Sequence, residues 1–209
     1  MARLITGLDA GRIRENLARV REELPRGVQV LAATKYVPLD ELPALAAAGI
    51  ELVGENRAQD LEAKAVAHPG FRWHFIGQLQ SRKVKQVLPY AELIHSVASD
   101  SALEQLGRHA DPATEVLVQV EVAGEEGKAG IAPAALGAFI ARCPVTVVGL
   151  MTMPPFTADP EASRPYFAAL RELAREHGLR ELSMGTSQDY RVAAEEGATI
   201  VRLGTSLYA

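Results

Sequence analysis

The chain of 209 residues carries one cysteine, so no internal disulfide framework can form. Such sparing use of thiols fits a reducing compartment, and the protein is expected in the cytoplasm. Basic runs are missing and the net charge is −4, which removes the electrostatic case for nucleic acid. No apolar run approaches a membrane span, so no membrane partner is expected. Residues 1–7 are too short and too polar around Leu4 and Ile5 for a signal peptide. The five histidines show neither helical metal spacing nor a carboxylate partner, and no metal site is expected. No Pro/Ser-rich linker divides the chain, so residues 1–209 are expected to form a single domain. What remains is 48% hydrophobic and 23% charged, the ordinary make-up of a globular protein with a real core.

The organising stretch is 28–38, where the apolar run Val30-Leu31-Ala32-Ala33 leads to Lys35 and Pro38 closes the segment. A run without alternation reads as a buried strand. A lysine at its carboxyl end can be desolvated and made nucleophilic towards a carbonyl. The alternative is a lysine that snorkels to solvent as the strand surfaces. Around this stretch a strand–helix pattern repeats. Apolar spacing predicts helices over 9–23, 39–48, 56–67, 81–88, 99–109, 133–141, 160–177 and 188–196. Short runs predict further strands over 50–53, 71–76, 92–95, 116–122, 145–151, 181–184 and 199–203. Eight strands with helices between them are the arithmetic of a (β/α)₈ TIM barrel. An open doubly wound sheet is the runner-up, but its glycine fingerprint after the first strand is absent.

In such a barrel the working groups sit at the carboxyl ends of strands, with phosphates held after strands seven and eight. Those positions read Ser183-Met184-Gly185-Thr186-Ser187 and Arg202-Leu203-Gly204-Thr205-Ser206. Glycine lets backbone N–H groups approach an anion, and hydroxyls add donors. Taken singly, each loop is equally an ordinary turn, with Ser187 as a helix N-cap. A phosphate-bearing carbonyl compound suits both the loops and Lys35. Lys128 lies in the glycine-rich loop after the fifth strand, where it could meet an anion or stay solvated. Cys143 precedes the sixth strand, at the wrong end for catalysis, and is read as packing. Met151, Met153, Pro154 and Pro155 are expected to pack the loop after that strand.

Several segments in combination resemble the pyridoxal phosphate homeostasis proteins, the YggS- and PROSC-like proteins. They are Ala32-Ala33-Thr34-Lys35, Gly54-Glu55-Asn56, Trp73-His74-Phe75-Ile76-Gly77-Gln78-Leu79-Gln80-Ser81, Gly149-Leu150-Met151, Leu182-Ser183-Met184-Gly185 and Val201-Arg202-Leu203-Gly204-Thr205. The resemblance implies a barrel of the alanine-racemase N-terminal domain type (PLP fold type III) that holds pyridoxal 5′-phosphate (PLP). It matches Lys35 to the lysine forming the Schiff base, a covalent aldimine. Ser183, Met184, Gly185, Ser187, Gly204 and Thr205 match the phosphate cradle, and Arg202 matches the arginine facing the pyridine nitrogen. A neighbouring arginine disfavours protonation of that nitrogen and so weakens the ring as an electron sink. Asn56 and His74 match family motifs near strand ends and are expected at the mouth, though a helix-start asparagine and a packed strand histidine read equally well. Departures from the family pattern are Thr34 for a usual serine, Tyr36, Ala98 for an aspartate, Thr186 for a methionine, and an end at Ala209.

The function so implied is storage, delivery or regulation of intracellular PLP in vitamin B6 homeostasis, with no substantial turnover and no catalytic residues. PLP-dependent apoenzymes would receive the cofactor. The alternative is a fold-type-III PLP enzyme such as an amino-acid racemase or decarboxylase, but those add a second β domain for which the pattern leaves no room. Without the resemblance, a lysine Schiff-base aldolase acting on a sugar phosphate would remain. A small barrel with no apolar extension is expected to be a monomer.

Overall fold

In the computed structural model, which describes residues 4–125, 127 and 129–209, eight parallel strands close into one barrel in chain order. The strands are β1 (Gln29–Ala33), β2 (Leu52–Glu55), β3 (Arg72–Phe75), β4 (Leu93–Val97), β5 (Glu115–Gln119), β6 (Thr146–Met151), β7 (Glu181–Thr186) and β8 (Ile200–Leu203). Closure is made by β1 against β8, in the register Leu31 to Arg202. The barrel expected from the strand–helix arithmetic is the one observed.

The helices are α1 (Ala10–Glu23), α2 (Leu42–Ala47), α3 (Ala58–Ala67), α4 (Val84–Val87), α5 (Asp100–His109), α6 (Leu136–Ala141), α7 (Arg164–Glu176), α8 (Tyr190–Glu195) and α9 (Thr205–Tyr208). Helix α1 starts where the Asp9 carboxylate accepts from the Arg12 N–H at 2.7 Å, and it buries Ile13, Asn16, Leu17 and Val20. Asn16 then donates to the carbonyls of Leu207 and Ala209, tying α1 to α9 across the whole chain. Four predicted helices open with a short 3₁₀ turn, at Leu39–Glu41, Ser81–Lys83, Pro133–Ala135 and Pro160–Ser163. Helix α9 has no counterpart among the expected elements, since four residues are too few for a periodic signal.

Two apolar layers hold the barrel. Inside it, Leu31, Leu52, Leu93, Leu117, Met151 and Ile200 pack together. Between strands and helices lies the larger layer, with Leu42, Leu61, Leu106, Leu136, Phe167 and Leu170 fully buried. Strands buried on both faces explain why their sequences run apolar without alternation.

Two glycines read as punctuation are parts of strands. Gly54 does not end its strand but sits within β2, where a Cβ would meet Leu31 Cδ2 at 2.5 Å inside the barrel. Gly185 lies within β7 at φ +87°, and a Cβ there would meet that of Ala193 at 2.5 Å. Both are glycines because of crowding, and Gly185 also because of its left-handed backbone.

Candidate functional site

The carboxyl ends of the strands surround a cleft of about 290 Å³ lined by Ala33, Lys35, Asn56, Gln119, Met151, Thr186 and Arg202, among others. Three expected site residues, Lys35, Asn56 and Arg202, therefore share one cavity. Lys35 stands two residues past the end of β1, exposed, with its Nζ 4.5 Å from the centroid of the Tyr36 ring. The expected desolvation is not what holds it: the strand stops at Ala33 and the following turn carries the side chain into solvent. A cation over an aromatic face takes the place of burial.

That turn rests on a buried polar group. Thr34 donates its hydroxyl to Glu55 Oε1 at 2.8 Å, and Lys64 donates to both Glu55 and the Thr34 carbonyl, the latter at 2.8 Å. Glu55 and Lys64 are 0% and 7% exposed, an ion pair out of water. The other Glu55 oxygen accepts from the Asn56 N–H at 3.0 Å. Asn56 lines the cleft, and its Oδ1 is buried without a hydrogen-bond partner in the protein.

Arg202 enters from β8 and is 6% exposed. It donates to the Ser183 carbonyl at 2.7 Å, to the Ser183 hydroxyl, to the Thr152 carbonyl at 2.9 Å, and approaches Met153 Sδ at 2.8 Å. All four acceptors are neutral, and burial lowers its pKa to about 10. The loop after β6 therefore does not simply pack as expected: Met153 is half-exposed while serving Arg202, Phe156 is exposed, and Met151 packs inside the barrel.

His74 lies elsewhere than expected. It is 2% exposed inside the barrel and lines a separate cleft at the amino ends of the strands, with Gln29, Arg72, Glu92, Glu115 and Glu181. Its Nδ1 meets His95 Nε2 at 2.9 Å, and His95 Nδ1 meets the Ser183 hydroxyl at 2.8 Å. Burial lowers His74 to about 4 and His95 well below the usual imidazole value. The packed strand histidine, the second of the two sequence readings, describes it.

The two loops expected to cradle phosphate do come together. Ser187 Oγ accepts from the N–H groups of Gly204 at 3.1 Å and Ser206 at 3.2 Å, and Ser206 donates its hydroxyl to the Ser187 carbonyl. Ser187 is thus a bridge between the loops and not the N-cap of α8, a position held by Asp189. Asp189 accepts from the Thr186 N–H at 2.7 Å and from Ser163, which pins the first loop from below. Gly204 leaves open space where a side chain would stand, and Thr205 is exposed beside it. Ser183 is fully buried beneath Arg202, and Met184 packs in the layer between strands and helices. Both stand behind the loop.

Lys128 lies outside the described residues. Cys143, ahead of β6, is half-buried against the core, and burial raises its thiol pKa. Among the described residues no group of three or more His, Cys, Asp or Glu side chains could hold a metal ion. Sequence reasoning missed Glu55, Lys64 and His95 as parts of the site's framework. One signal was available: Lys64 falls with Ala58, Leu61 and Ala65 on the buried face of α3, where an unpaired charge would be costly.

Comparison with known proteins places this geometry. The model of the alanine racemase N-terminal domain matches residues 8–209. The pyridoxal phosphate homeostasis protein of Aquifex aeolicus is 40% identical, over 94% of each chain. That of Deinococcus radiodurans is 38% identical, over 87% of this chain and 89% of its own. PipY of Synechococcus elongatus, solved with PLP bound, is 34% identical, superimposes with a TM-score of 0.83, and is covered completely by 94% of this chain. The lysine/ornithine decarboxylase of Vibrio vulnificus, 18% identical with a TM-score of 0.72, shares the fold over 62% of its length. With matches of this extent along nearly the whole barrel, the chain belongs to the family of pyridoxal phosphate homeostasis proteins, built on the alanine racemase N-terminal domain.

Proposed function

We propose that the protein binds PLP in the mouth cleft through Lys35 and stores, delivers or regulates the free cofactor, with no substantial turnover of its own. The observation that carries this reading is the meeting of a reachable lysine, a buried arginine and Asn56 in one cleft of about 290 Å³, a small-molecule size. The relatives named above are called PLP homeostasis proteins, and one was solved with PLP. Lys35 supplies the amine for covalent attachment. Asn56 and Arg202 would border the ring, and Ser187, Gly204 and Thr205 would hold the phosphate, with Ser183, Met184 and Gly185 shaping the loop from behind. Bound PLP would supply an aldehyde and an electron-accepting ring. Arg202, fully charged among neutral acceptors, disfavours a second positive charge on that ring and mutes it.

The reading as a carrier gains from His74 and His95. Both are enclosed by the barrel and neutral, so neither offers a proton to a substrate at the mouth. We further propose that residues 1–209 act as one cofactor-binding unit, as a monomer, in the cytoplasm, handing PLP to apoenzymes. Among the described residues no helix is long and apolar enough to cross a membrane.

The test is a visible spectrum of purified protein with added PLP, before and after borohydride, beside Lys35→Ala. A yellow band fixed by borohydride onto the Lys35 peptide is expected, and its absence in the wild-type protein ends the reading. Amino acids added to the loaded protein then separate carrier from enzyme: racemisation or decarboxylation at useful rates would favour the enzyme.

A further inference from the structure

We propose that Glu55 is a positioning residue for cofactor capture, whose one carboxylate sets both Lys35 and Asn56 in the mouth cleft. This rests on the reading of Lys35 as the attaching amine. The argument follows the two oxygens. Oε1 takes the Lys64 ammonium and the Thr34 hydroxyl, and Lys64 in turn donates to the Thr34 carbonyl at 2.8 Å. That carbonyl belongs to the peptide joining Thr34 to Lys35, so the plane from which the Lys35 side chain departs is fixed from below. The preceding carbonyl, of Ala33, accepts from the Tyr208 hydroxyl at 3.2 Å. Oε2 takes the N–H of Asn56, a residue that lines the cleft with Lys35.

A purely adhesive role for the pair does not account for this arrangement. Two apolar side chains would join α3 to β2 at least as well, because burying two charges costs much of what their attraction returns. Charges are needed where fixed oxygens and nitrogens must hold a backbone in one orientation. Here every hydrogen-bond partner of the pair outside itself is a group of residue 34 or 56, on the strand ends that carry the cleft. Misplacing a reacting group by about 1 Å can cost about a hundredfold in rate, so a firm Lys35 turn matters for capture.

The test compares Thr34→Val, which keeps shape but loses the hydroxyl, with Thr34→Ser, which keeps it. PLP uptake and release rates are followed by absorbance, and the melting temperature of the unloaded protein is recorded for each. Uptake is expected to slow about tenfold in Thr34→Val at little change in melting temperature, with Thr34→Ser restoring it. The double variant Glu55→Leu/Lys64→Met, apolar and close in volume, serves as the second probe should Thr34→Val not fold. Wild-type uptake in either folded variant overturns the proposal.

A second readout needs no PLP. Deuterium labelling of the Val37 N–H, which donates to the Thr34 carbonyl at 2.9 Å, quantified by peptide mass spectrometry as a ratio to the wild type, is expected to rise about threefold in Thr34→Val as the turn opens. Were the wild-type protein to take up no PLP, the cofactor reading would fall, and this labelling ratio would judge the positioning alone. An unchanged ratio overturns it.

Discussion

His74 and His95 meet ring to ring inside the barrel, Nδ1 to Nε2 at 2.9 Å. Arg202 only donates, so the Ser183 hydroxyl accepts from it. The same hydroxyl meets His95 Nδ1 at 2.8 Å, and the chain of contacts ends at His74 Nε2, which is buried without a partner in the protein. The apolar barrel thus carries one polar thread, from the mouth down towards the amino ends of the strands.

Burial keeps both rings neutral, and that ties stability to pH. Unfolded histidine takes up a proton near 6.5, whereas folded His74 resists until about 4. Between these values the unfolded chain binds more protons, so this contribution is complete above 6.5 and is lost as pH falls towards 4. The shift at His74 is worth on the order of 3 kcal/mol. Urea midpoints measured from pH 7 down to pH 4.5 are expected to fall along this window, and less steeply in His74→Leu. Equal slopes in the two proteins would show that the ring does not govern the dependence.

Gly185→Ala is expected to lower stability by about 3 kcal/mol, from left-handed strain and overpacking together. The new methyl would stand 2.5 Å from the Ala193 Cβ and 3.0 Å from the Tyr190 Cα, with the neighbouring loop bearing Ser187 pushed aside. Affinity for PLP should fall with it. Chemical denaturation and a PLP titration give the two numbers, and an unchanged pair would mean that β7 absorbs the methyl freely.

Lys64→Met leaves Glu55 buried and uncompensated, and is expected to cost about 3–5 kcal/mol. Replacing both partners, as Glu55→Leu/Lys64→Met, should restore stability to within about 1–2 kcal/mol of the wild type. The same double variant is expected to load slowly, so stability and capture part company. A double variant no steadier than Lys64→Met would contradict the claim.

The Arg72–Glu92 pair offers a contrast at the other end of the barrel. Its geometry is good, with Arg72 Nε donating at 3.0 Å and Nη2 at 2.6 Å, but both side chains are about half in water. A double-mutant cycle on Arg72→Ala and Glu92→Ala should return a coupling below about 1 kcal/mol, reduced further by salt. A value several times larger would mean that water screens this pair far less than its exposure implies.

Much of the architecture was legible because a parallel barrel writes itself locally: each strand is a short apolar run, and each helix shows its spacing. The elements that slipped did so for physical reasons. Gly54 and Gly185 resemble turn glycines to a reader of sequence, and only the neighbours that crowd them reveal that they belong inside strands. Lys35 and the two glycine-hydroxyl loops could be singled out by residue type and place, whereas Arg202 and Asn56 were singled out through the family resemblance. The place of His74 was not legible, since alternation in a four-residue strand does not say which end of a barrel a ring faces. Glu55 and Lys64 sit nine positions apart, and nothing local announces that they pair.

Because β1 bonds to β8, no barrel strand among the described residues has a free edge. Another polypeptide therefore cannot join it by lengthening its sheet, the route by which exposed edges recruit unintended company. A partner protein would have to meet it through loops and side chains, such as the rim where Met153 and Phe156 reach into solvent.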